Sequence, residues 1–174
     1  MTLGIKKILG AGAVLVLLAG VLYALRPPVG YNEGYQPDQP IPYDHAVHAG
    51  KLQIPCMYCH ANADKSKQAS VPSLNICMNC HSVVATDRPA VQKLREHYEK
   101  GVSVPWVKVH MLPDHAHFNH ERHVRKGVAC QECHGAIQEM STVYQKSDMS
   151  MGWCIECHRK PENNAPINCS TCHY

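Results

Sequence analysis

The chain holds one phenylalanine and two tryptophans, and aromatic residues make up only 6% of it. Past residue 25, branched aliphatic side chains are sparse as well. A soluble domain builds its interior mainly from these two groups. An ordinary side-chain core is therefore excluded for most of this sequence, and something else must fill the interior. Charge is modest too, at 18% of residues with a formal net charge of +3 when histidine is neutral. The excess lies elsewhere: 174 residues carry ten cysteines and thirteen histidines.

Such a cysteine density means a disulfide scaffold, zinc sites or haem attachment, and spacing decides among them. All ten cysteines fall into five Cys-x-x-Cys-His motifs: Cys56-Met57-Tyr58-Cys59-His60, Cys77-Met78-Asn79-Cys80-His81, Cys130-Gln131-Glu132-Cys133-His134, Cys154-Ile155-Glu156-Cys157-His158 and Cys169-Ser170-Thr171-Cys172-His173. A c-type haem needs two thiols to add across its two vinyl groups and an imidazole that reaches the iron from the same side. Two intervening residues set the thiols one helical turn apart, and the next residue swings its ring under the macrocycle. Zinc sites use paired Cys-x-x-Cys units and redox dithiols use one, but neither needs histidine directly after the second cysteine. Five copies with no cysteine left over point to five haem c groups, with His60, His81, His134, His158 and His173 as proximal ligands. Their propionates would add about ten negative charges and bring the net charge to roughly −7. The basic polypeptide is thus no sign of a nucleic-acid partner.

Eight histidines lie outside the motifs: His45, His48, His97, His110, His115, His117, His120 and His123. The pairs His45/His48 and His120/His123 are the strongest candidates for distal ligands. A spacing of three places both members on one side of a short helix, aimed at two different irons. His110, after Trp106-Val107-Lys108-Val109, is the fifth candidate, with Met151 as a thioether alternative that would raise the potential of its haem. His115 and His117 read as solvated turn residues, and His97 sits on a helix among charged neighbours.

The N-terminus carries Lys6 and Lys7, an apolar run from Ile8 to Leu25, and Arg26-Pro27-Pro28. As a helix the run is about 27 Å long, just enough to span a bilayer. It is long for a secretory signal and lacks a small-residue cleavage site, so residues 1–26 read as a retained transmembrane anchor. The two lysines place the N-terminus in the cytoplasm of a single-pass protein of the cytoplasmic membrane, and the rest on the periplasmic side. Residues 27–42 read as a Pro/Gly-rich linker. Residues 43–174 form the haem domain, mainly α with much irregular chain. It is a two-module repeat: an aromatic residue, a polar residue and His-x-x-His precede a haem motif at Tyr43 and again at Phe118. The modules, 43–87 and 106–174, are joined by a helix over Arg88 to Lys100, capped by Asp87 and stopped by Gly101. Val102 to Met111 alternates like a short strand.

The Tyr43 and Phe118 units resemble small multihaem cytochromes of the c7/c3 type. The runs His45 to His81, Trp106 to Gly135 and Met151 to Arg159 are similar to the pentahaem cytochrome c subunit of alternative complex III. That resemblance implies an electron-transfer subunit, with no catalytic residues of its own, in a membrane quinol-oxidising respiratory or photosynthetic complex. It would relay electrons from an iron–sulfur subunit, beside integral membrane quinol-binding subunits, toward a monohaem cytochrome c or soluble carrier. A membrane-anchored multihaem quinol dehydrogenase feeding a periplasmic reductase is the alternative. A catalytic multihaem reductase is a third class, but no Cys-x-x-Cys-Lys occurs to leave an iron open.

Overall fold

The computed structural model describes residues 2–25 and 32–174, with side chains from Ile8 onward in the first stretch. The Lys6 and Lys7 side chains, Arg26-Pro27-Pro28 and the first part of the expected linker lie outside the described residues. The chain divides into two units, Met1–Tyr31 and Asn32–Tyr174.

The first unit is helix α1, Thr2–Ala24. The apolar run forms the helix that its composition favours. Its described side chains are all exposed, Val16 at 73% and Leu17 at 69% among them. Among the described residues, no helix is long and apolar enough to cross a membrane.

The second unit contains six further helices: α2 Cys56–Cys59, α3 Leu74–His81, α4 Pro89–Glu99, α5 His120–Arg125, α6 Cys130–His134 and α7 Met151–His158. A π-helical turn at Ala46–Lys51 and 3-10 turns at Ile137–Glu139, Pro161–Asn163 and Cys169–Thr171 complete it. There is no strand among the described residues. The unit is helical and irregular, and its protein-only core is small: Ile41, Leu94 and Val104 cluster together, with Leu74, Cys77, Ala90 and Trp106 packed against them.

Helix α4 bridges the two modules, and Val91 and Leu94 bury its inner face. Pro89 takes the first turn, where its missing N–H costs nothing. The N-cap is Arg88, without a side-chain hydrogen bond. The expected Asp87 cap does not form, because the proline places the helix start one residue further on. At the other end Gly101 adopts φ +65 and the Val102 N–H donates to His97 O at 3.0 Å, a left-handed C-terminal closure that favours glycine.

Two further expectations change. The Val102 to Met111 segment is not a strand, because Gln39 pairs with it instead of a neighbouring chain. The Gln39 side-chain amide accepts from Val107 N–H and donates to Val107 O, both at 2.9 Å. The second half of the expected linker is irregular, but it packs as part of the second unit. Ile41 is 4% exposed, Gly34 N–H donates to Gln145 O at 2.7 Å and Gln145 N–H to Tyr35 O at 3.0 Å. Gln145 is fully buried. Its side chain accepts from Met111 N–H at 3.1 Å and donates to Ser147 O at 3.0 Å. One glutamine thereby ties the N-terminal arm, the His110 segment and the loop before α7 together.

The modules meet at several places. Ala46 N–H donates to Met140 O at 3.1 Å, and Gly50 lies so close to the Gln138 carbonyl that a Cβ would overlap it. On the other side, the first two N–H groups of α5 donate to carbonyls of the first module: His120 to Lys67 O and Glu121 to Ser66 O, both at 3.1 Å. Donors that a helix start leaves unsatisfied here cement the repeat.

Candidate haem sites

Each Cys-x-x-Cys-His motif folds as one tight turn. The first is α2, closed by His60 N–H to Cys56 O at 2.9 Å. The second ends α3 and the third is α6. The fourth ends α7, whose N-cap Ser150 Oγ accepts from Trp153 N–H at 3.1 Å. The fifth is the turn Cys169–Thr171, closed by His173 N–H to Cys169 O at 3.0 Å. Cysteines three apart on a helical turn share one side, and all ten are unbridged.

The histidine rings come together in pairs. Centroid separations are 6.1 Å for His48 and His81, 6.3 Å for His120 and His134, 6.0 Å for His123 and His158, and 5.7 Å for His115 and His173. His45 adjoins His60, the neighbouring group that does most, after burial, to hold its pKa down to about 4. Two imidazoles on opposite sides of one metal should stand about 6 Å apart, counting a metal–nitrogen bond of about 2.0 Å and roughly 1.1 Å from nitrogen to centroid on each side. The His48–His81, His120–His134 and His123–His158 separations match that spacing, so these rings fit a bis-histidine haem iron.

The first and second modules build these pairs alike. Tyr43 stacks on His48 at 4.4 Å and meets His45 edge-on at 4.7 Å. Phe118, the chain's one phenylalanine, stacks on His123 at 4.5 Å and meets His120 edge-on at 4.7 Å. One aromatic ring fixes two imidazole planes in each module.

Most of these histidines also use Nδ1 for a backbone carbonyl, leaving Nε2 for a metal. His60 donates to Ser70 O, His158 to Pro166 O and His173 to His115 O, each at 2.7 Å. His81 donates to Val84 O at 3.1 Å, His48 to Asp44 O and His123 to Asn119 O at 2.8 Å, and His120 to Lys67 O at 2.9 Å. His45 Nδ1 is buried without a partner. His134 faces another ring, with its Nδ1 at 3.2 Å from His110 Nε2. Burial, then His110 and His120, pull the His134 pKa down to about 4, which keeps it in the neutral form that a metal requires.

The thiols show which motifs are neighbours, since like charges act strongly only at short range. Burial raises Cys77, and Cys59 of the first motif adds to it. Burial raises Cys130, with Cys56 of the first motif adding to it as a hydrogen-bonded partner. Burial pushes Cys133 up to about 11, helped by Cys157 and Cys154 of the fourth motif. Burial raises Cys154, and Cys172 of the fifth motif contributes next. The second motif thus adjoins the first, the first the third, the third the fourth and the fourth the fifth. At the fifth, His115 and His173 are both exposed.

The remaining candidates fall elsewhere. His110 lies 4.3 Å from His134 between centroids, too close for both rings to flank one metal, and on the Nδ1 side of His134. The His115 ring lies 5.7 Å from that of His173, but the His115 carbonyl accepts from His173 Nδ1, so His115 approaches from the side away from Nε2. His117 packs on Tyr174 at 4.6 Å, and His97 turns its Nδ1 to Val102 O at 3.2 Å. Met151 begins α7, is 65% exposed and lies beside Ile155 and Arg159 at the surface.

The sequence has counterparts among known proteins. Residues 116–174 match the family model of cytochrome c7 and related cytochrome c. That stretch contains the second-module histidine pair and the last three motifs. The chain is also 27% identical over 163 residues to the multihaem cytochrome c subunit of menaquinone reductase from Nitratidesulfovibrio vulgaris, a match covering 79% of this chain and 78% of that protein. It therefore extends well beyond the family match, and haem c is the cofactor that such a likeness implies.

Proposed function

We propose that this chain is an electron-relay subunit of a membrane complex that exchanges electrons with the quinone pool. The observation that carries the reading is that four motif histidines lie beside an imidazole from outside the motifs, each next to its own pair of cysteines. In the proposed sites His60 pairs with His45, His81 with His48, His134 with His120 and His158 with His123, and His173 holds the fifth. Cys56 and Cys59, Cys77 and Cys80, Cys130 and Cys133, Cys154 and Cys157, and Cys169 and Cys172 carry the covalent links. Haem iron supplies reversible one-electron exchange. The chain supplies the order: second, first, third, fourth, fifth, with the crossing between modules at Cys56 and Cys130.

At four of the five sites the chain would supply both imidazoles, which supports relay over catalysis. The similar protein in Nitratidesulfovibrio vulgaris is named for a menaquinone reductase, which supports a quinone-linked assembly. The resemblance of the Trp106 to Gly135 run favours alternative complex III as that assembly, in which electrons would leave quinol for an iron–sulfur subunit, this chain and then a monohaem cytochrome or soluble carrier. The exposed apolar surface of α1 supports attachment to the cytoplasmic membrane or to its integral subunits, with the haem domain outside. Surfaces of that kind mark such contacts.

Purification from native membranes in mild detergent, with subunits identified by mass, tests the proposal. Co-purification of an iron–sulfur subunit and an integral membrane quinone-binding subunit is the expected result. Quinol oxidation by the isolated holoprotein would overturn the relay reading in favour of a self-sufficient dehydrogenase.

A further inference from the structure

The His110 ring meets His134 from the wrong side for ligation. A c-type proximal imidazole binds iron through Nε2. His110 Nε2 stands at 3.2 Å from the other nitrogen, Nδ1 of His134, with the rings at 79°. The other ring beside His134 is that of His120, nearly parallel at 8° and 6.3 Å away. At the other four motif histidines the Nδ1 partner is a backbone carbonyl: Ser70, Val84, Pro166 or His115. At the third alone it is a side chain.

We propose that His110 is a positioning residue for the third site: its Nε2 accepts the Nδ1 hydrogen of His134, fixes the plane of that ring and strengthens it as an iron donor. The inference rests on the reading that His134 and His120 hold a haem. An imidazole nitrogen is a much stronger base than an amide oxygen, so it draws the Nδ1 hydrogen more strongly than a carbonyl does. A more electron-rich ligand favours ferric over ferrous iron, and outer partners of this kind are known levers on potential. The third site is therefore held at a lower potential than a carbonyl partner would give it. It is also the site whose motif adjoins the first module.

The support for His110 is itself built. Met111 N–H is held by the fully buried Gln145, and Ser147 Oγ donates to Cys133 O at 3.0 Å. The donor and acceptor rings are thus fixed to one frame.

The test uses the full-length holoprotein with His110→Leu, which removes the acceptor, and His110→Gln, which replaces it with a carbonyl oxygen like those at the other sites. Redox titration and low-temperature EPR are the readouts. In His110→Leu every centre is expected to keep its spin state while one potential rises by about tenfold in its reduction equilibrium, about 59 mV for a one-electron couple. His110→Gln is expected to show a smaller rise at the same centre, and it carries the test if the leucine variant does not fold. A new high-spin signal in either variant would make His110 an axial ligand and overturn the inference. Unchanged potentials in both would reduce it to packing. His120→Ala tests the underlying reading separately: if every centre keeps its spin state in that variant, His120 is not the ligand opposite His134, whatever His110 does.

Discussion

Two aromatic rings, Tyr43 and Phe118, each fix a pair of imidazoles, and this makes them the most consequential non-ligand side chains in the chain. Phe118→Ala removes the stack on His123 and the edge contact to His120 and should cost about 2 kcal/mol of holoprotein stability. Guanidinium unfolding followed at the haem absorbance would measure it, and an unchanged midpoint would show that the ring is incidental. At the fourth site, His123→Ala should convert one low-spin centre to high-spin, whereas Met151→Leu should leave every spectrum as it was. A near-infrared charge-transfer band typical of His–Met ligation would contradict that assignment. The two His-x-x-His pairs were legible because ligands three residues apart leave a local mark. No such mark sets His110 or His115 apart: each meets its motif histidine on the Nδ1 side, His110 through a ring nitrogen and His115 through its carbonyl.

Short helices and turns, rather than long elements, set the spacing between sites. The closest approach is at Gly50, whose Cβ position is taken by the Gln138 carbonyl. Gly50→Ala must push the π-helical turn away from Ile137–Glu139 and should destabilise the holoprotein by about 1–3 kcal/mol. Because His48 lies in that turn, the same variant should broaden or shift the signal of the second site, which EPR would register. A melting temperature and spectrum equal to wild type would show that the two turns separate freely. Helix α4 was readable from its apolar spacing, its proline and its glycine stop. The N-terminal arm and the segment before His110 were not. Proline-rich chain reads as a spacer when its only structural role is to lend backbone N–H and C=O groups to Gln145, and a strand pattern carries no information about whether a partner strand exists.

Across the whole molecule, only six apolar side chains are buried among the described residues: Ile41, Ala63, Val91, Leu94, Val104 and Met140. A domain of this length normally buries well over half of the surface that its unfolded chain exposes, and six side chains cannot supply that. Binding a group only in the native state stabilises that state, so five covalently held haems would make up the difference. Expression without cytochrome c maturation should therefore yield a chain that is unfolded by circular dichroism and rapidly cleaved by protease. A cooperative thermal transition in that haem-free chain would contradict this. The matured protein should carry five haems by intact mass. The sparse interior also bears on how much of the protein a cell can keep. A chain that cannot shelter itself before its cofactors arrive has no durable immature pool, since unfolded polypeptide is continuously removed by proteases. Its steady-state amount would then track haem supply rather than the rate of translation.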